Sequence, residues 1–149
     1  MDFHSNEGKN NPSLRQSNWY NNMKPEVQEW LHQAEYDYED AEYLIPGERY
    51  PKAVFCCHLA VEKGLKALYL HHFNNQPPRT HNLDFLIQAI PGGIPERFED
   101  LMDLLEDISV KVRYPPVLDL LLHEITADVA KKIFEDTGEF LTWIRESNL

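Results

Sequence analysis

Lys63 and Lys66 stand three residues apart with Glu62 directly before them, Arg79 and His81 follow in the turn Pro-Pro-Arg-Thr-His, and Arg113 and Tyr114 open an Arg-Tyr-Pro. On a helix the two lysines share a face, and Glu62, four residues before Lys66, can orient it. Cations gathered with so few local acids suit a phosphate or a nucleic-acid backbone, and equally an acidic protein partner. A charged histidine holds phosphate as well. The Tyr-Pro sequence predicts a rigid turn carrying the Arg113 guanidinium, and Tyr114 either stacks on a base or packs against the protein. The candidate phosphate-binding set is therefore Lys63, Lys66, Arg79, His81, Arg113 and Tyr114.

Other chemistries lack their residues. The sequence holds no glycine loop to cradle phosphate, no paired-cysteine zinc spacing, no nucleophile elbow and no His-Glu-x-x-His. Neither Glu35 nor Glu39 is followed three residues on by the His that a di-iron Glu-x-x-His needs, and His71 and His72 diverge by about 100° on a helix. Neither a metal nor a cofactor is expected. Cys56 and Cys57 are adjacent, which strains a disulfide, and are read as reduced small apolar residues.

Charge is distributed unevenly. A formal net charge of -11 argues against a broad duplex-binding surface. Residues 26–48 nevertheless hold eight acids and no Lys or Arg, whereas residues 49–81 hold Arg49, Lys52, Lys63, Lys66 and Arg79 against the single Glu62. An acidic helix beside a basic one explains this by pairing of their rims.

The elements that must position these groups follow from periodicity. The 149 residues, 42% hydrophobic, suit one domain. Residues 1–24 are polar, lack periodicity and read as a flexible tail before a bundle over 25–149. Val27, Trp30, Leu31, Ala34, Tyr38, Ala41 and Ile45 recur at helical steps between Pro25 and Pro46-Gly47. A second helix over about 51–73 carries Val54, Cys57, Val61, Leu65 and Leu68, with Gly64 in a stripe of small residues that predicts close packing. A short helix starts at Thr80 or Asn82, another helix covers about 95–110, and Thr126 caps the last. Residues 117–125, Val-Leu-Asp-Leu-Leu-Leu-His-Glu-Ile, fit no element clearly. The chain is expected to be all-α, an up-and-down four-helix bundle with an extra short helix. No run spans a bilayer and the N-terminus has no signal-peptide core, so a cytoplasmic protein without membrane contact is expected.

Four fragments in order, Trp-Leu-His-Gln-Ala-Glu-Tyr-Asp-Tyr-Glu-Asp-Ala-Glu-Tyr-Leu-Ile (30–45), Ala-Val-Glu-Lys-Gly-Leu-Lys-Ala-Leu (60–68), Pro-Arg-Thr-His-Asn-Leu (78–83) and Arg-Tyr-Pro (113–115), resemble the HEPN family, the higher eukaryotes and prokaryotes nucleotide-binding domain. The resemblance spans about 24–147. It implies a helical bundle, commonly a homodimer, of prokaryotic type, that binds a nucleotide or single-stranded RNA or works with a small nucleotidyltransferase partner in a toxin–antitoxin-like system. It also brings an alternative, a metal-independent ribonuclease toxin. Ribonucleases of the family carry an Arg followed after four to six residues by a His, the arginine stabilising the phosphorane and the histidine moving the proton. Here nine residues separate Arg113 from His123 and one separates Arg79 from His81, so the spacing departs from the active type and Arg113 and His123 are the catalytic candidates only if folding joins them. A toxin form with a Tyr two residues beyond that histidine has no counterpart, since residue 125 is Ile. A purely protein-docking module is the remaining alternative.

Overall fold

Helix α1, Pro25–Leu44, opens on a proline, whose missing N–H is no loss in a first turn. In the computed structural model, which describes residues 23–114 and 118–147, every described element is helical. A turn with Glu48 in the left-handed region (φ 59°) reverses the chain into α2, Tyr50–Phe73, whose 24 residues make it the longest element. Asn74 closes α2 in the left-handed conformation, its N–H donating to the Leu70 carbonyl. The short α3, Leu83–Ala89, is capped by Asn82, whose side chain accepts from the Phe85 N–H. A 3-10 turn, Glu96–Phe98, leads into α4, Glu99–Arg113. Helix α5, Leu118–Glu124, and α6, Ala127–Glu146, complete the order, and Thr126 caps α6 by accepting from the Val129 N–H.

Helix α2 lies at the centre and packs on α1, α6, α4 and α3. Its composition explains this: apolar or small residues cover most of its circumference, and a helix apolar on all sides is buried. At Gly64 α6 lies close against α2, since a Cβ there would stand 2.7 Å from Ile144 Cδ1 and 3.4 Å from Leu141 Cδ2. Phe98, Phe140 and Trp143 form an aromatic cluster, the Phe98 and Phe140 rings meeting edge to face at 5.3 Å. Burying a side chain such as Phe140 stabilises the fold by roughly 2–3 kcal/mol. Phe98, Leu101, Met102, Leu105 and Ile108, at three- and four-residue steps along the 3-10 turn and α4, are all buried.

Two differences from the sequence reading have physical causes. Helix α5 occupies the segment that fitted no element: Leu121 is buried while Leu118, Leu120 and Leu122 are exposed, an apolar-all-round pattern that hides its period. Among the described residues the bundle thus has two short α-helices besides the four long ones. Arg113 is not on a turn but is the last residue of α4, which continues past Val110 because Val112 still packs on the core. Tyr114 then turns extended (φ −116°, ψ 95°), as expected of a residue before a proline. Residues 1–22 of the expected tail lie outside the described residues, and Met23 is buried in the core.

Candidate functional site

Residues 55, 58, 62 and 66 of α2 follow one another at three- and four-residue steps and so share one stripe, and on it lies the densest polar network among the described residues. Glu62, 3% exposed, is its hub. Its Oε2 takes Lys66 Nζ at 3.2 Å, and its Oε1 accepts from His81 Nδ1–H at 2.9 Å. His58, also buried, lies one turn earlier with Nδ1 4.0 Å from Glu62 Oε1. His58 Nε2–H donates to Glu106 Oε1 of α4 at 3.1 Å, and the same carboxylate oxygen accepts the Leu83 N–H at 2.9 Å, the first of α3. One carboxylate thus joins α2, α3 and α4.

Burial holds the His58 pKa below its ordinary value, against the raising effects of Glu106 and Glu62, and the positive Arg113 lowers it further. His58 is therefore neutral near pH 7, with Nε2 protonated toward Glu106 and Nδ1 buried without a partner among the described residues. Arg113 stands at the far end of the stripe, exposed, its guanidinium 5.7 Å from the centre of the Phe55 ring. No described carboxylate pairs with it.

The six predicted binding residues separate into three groups. Lys66, His81 and Arg113 gather on this stripe. Lys66 is only 7% exposed, anchored by Glu62 and lying over the Trp30 ring at 5.5 Å, so its charge is spent inside the protein. Lys63 faces α1 instead, pairing with the buried Asp37 at 2.6 Å, which is the pairing of acidic and basic helices expected from the charge distribution. Arg79 and Tyr114 are exposed. His123 lies on α5, exposed, and makes no described contact with Arg113, while its neighbour Glu124 ties α5 to α4 through Lys111 at 2.8 Å. The pair Arg113 and His123 is therefore not assembled.

Sequence reasoning missed His58 and Glu106. The signal available was the spacing His58, Glu62, Lys66, three polar residues at four-residue steps on an otherwise apolar helix. Glu106 carried no local signal, because its partners are 23 and 48 residues away.

A groove of about 810 Å³ opens elsewhere, between α1 and α6, lined by Tyr38, Arg97, Gly138 and Trp143 with Glu135, Glu139 and Glu146. Its glutamates suit no anion, and its second arginine, Arg145, is held by Glu35 at 2.5 Å. The thiols offer no nucleophile: burial pushes Cys57 up to about 12 and raises Cys56. No described helix is long and apolar enough to cross a membrane.

A family model, the HEPN domain, matches residues 27–147. The chain belongs to the HEPN family. Among solved structures, this HEPN chain is similar to TT1696 from Thermus thermophilus (TM-score 0.71, 22% identity, covering 83% of this chain and 98% of that one), a likeness of fold. It is also similar to ST0689, described as an archaeal HEPN homologue (TM-score 0.57, 26% identity, covering 83% of this chain and 97% of that one). No curated protein matches the sequence. The expected all-α HEPN fold is thus the observed one.

Proposed function

We propose that the chain is a nucleotide- or RNA-binding HEPN module. The observation that carries this reading is Arg113, an exposed guanidinium that no described carboxylate neutralises, standing at one end of a stripe whose other end presents His81 on a buried carboxylate. A guanidinium offers five donors in a planar fork and suits phosphate, whereas an arginine already paired to an acid would not. Tyr114, next to it and 65% exposed, supplies a ring on which a base can stack. Lys63 and Lys66 act in this reading through the protein, as the ion pairs that hold α1 and the network in place.

The same reading includes a homodimer acting with a small nucleotidyltransferase partner in a toxin–antitoxin-like setting, as the family resemblance implies. Leu118, Leu120 and Leu122 of α5, each more than half exposed, supply apolar surface for such association. Ribonuclease activity is the weaker alternative, because Arg113 and His123 make no contact with each other among the described residues.

Calorimetric titration with ATP and with a short single-stranded RNA at low and moderate salt tests the proposal. Saturable binding that weakens with salt and is lost in Arg113→Ala is expected. Silence with both ligands, or binding unchanged in Arg113→Ala, refutes it.

A further inference from the structure

His81 differs from the other groups of the site in being both held and open. Its side chain is 63% exposed, while Glu62, which receives its Nδ1, is 4% exposed at the side chain. A carboxylate only accepts, and this one already takes Lys66 on its other oxygen, so the hydrogen of the contact is on His81 Nδ1. A ring protonated at Nδ1 alone carries its lone pair on Nε2, which has no described partner on this exposed side chain. An acceptor of that kind repels phosphate oxygens, which are acceptors too, and matches a hydroxyl.

Arg113 has the opposite character, donors without an acceptor. The residues on which the two side chains rest, Phe55 and Glu62, are seven apart on one face of α2, which is about 10 Å along the axis. That is the reach from the sugar of a nucleotide to its phosphates. Lys66, buried with Glu62, holds the carboxylate in place through its other oxygen and does not itself face the ligand.

We propose that His81, positioned by Glu62, reads a ribose hydroxyl while Arg113 holds the phosphates, so that the site selects ribonucleotides over analogues lacking the hydroxyls. This inference rests on the nucleotide-binding reading above and goes beyond it by naming what the histidine recognises. It assigns His81 to the sugar and not, as its residue type alone suggests, to phosphate.

Two measurements test it. In nitrogen-15 spectra of the full chain at a pH where the ring is neutral, His81 is expected as the Nδ1–H form, the minority tautomer of a free histidine; an Nε2–H form overturns the inference without any ligand present. By calorimetry, ATP is expected to bind about threefold to tenfold more tightly than 2′,3′-dideoxy-ATP, the range one hydrogen bond spans. His81→Ala, an exposed position, should erase that ratio while leaving residual binding that Arg113→Ala removes. Glu62→Gln, which can offer an amide N–H to Nδ1 and turn the lone pair inward, should reduce the ratio too. Equal binding of both nucleotides by the wild type overturns the hydroxyl assignment alone, whereas no binding of either refutes the nucleotide reading and this inference with it.

Discussion

Two faces of α2 contrast in what holds them. Toward α6, Gly64 is buried among Phe140, Leu141 and Ile144, and the contact is decided by volume, since a Cβ at Gly64 would press into Ile144. Toward α3 and α4, His58 and Glu62, the latter paired with Lys66, are also buried but polar, and the contact is decided by pairing. The first face is self-sufficient once packed. The second is stable only while each partner remains, because an unpaired buried charge costs more than the pair contributes. That asymmetry is why the polar face also offers recognition: of its outermost members, His81 is held by the buried Glu62 and Arg113 rests on the half-buried Phe55, yet both reach solvent.

Removing one partner from the polar face should have the largest effect. Glu62→Ala leaves Lys66 buried without its carboxylate and frees His81, and a loss of about 3 kcal/mol in urea unfolding is expected. Replacing the pair together, Glu62→Met with Lys66→Met, should recover much of that loss if pairing is what the face needs. A double variant no more stable than Glu62→Ala would show that the two faces do not differ as argued.

The apolar face is probed by adding volume. Gly64→Val places a branched side chain where Ile144 and Leu141 leave no room, and about 2 kcal/mol of destabilisation is expected, with ligand binding intact in the folded fraction. An unchanged unfolding midpoint would mean that α6 yields.

The smallest effect is a pH limb. Burial lowers the His58 pKa, so below the ordinary value of 6.5 the unfolded chain binds a proton that the folded chain resists. Stability therefore falls as pH drops below about 6.5, by at most about 1.4 kcal/mol per pH unit from this residue. The groups facing it are Glu62 on its own helix and Glu106 and Arg113 on α4. In His58→Gln, which keeps a donor for Glu106, the decline between pH 6.5 and the onset of carboxylate protonation should be shallower. Parallel curves for the two proteins would remove His58 from the account.

The long helices were legible because burial leaves a period. Phe98, Leu101, Met102, Leu105 and Ile108, or Ile133, Phe140, Leu141 and Ile144, announce their faces by spacing alone, and Pro25 and Thr126 announce the starts of the first and last. Helix α5 was illegible because three of its leucines are exposed and the pattern of apolar residues no longer reports which side is buried. The site was half legible. The lysines, Arg79, His81, Arg113 and Tyr114 were singled out by charge and turn residues, but nothing local separated Lys63, which serves Asp37, from Lys66, which serves Glu62.

By itself the sequence determined the helical class, the long elements, the close approach at Gly64 and the family, all of which depend on periodicity and on motifs a few residues wide. Only the tertiary structure decided which charges are consumed within the protein and which face outward. Glu62 meets His81 across 19 residues, His58 meets Glu106 across 48, and Arg145 meets Glu35 across 110. Coulombic pairing depends on distance in space, and a chain folded into a bundle sets that distance without regard to separation along the sequence.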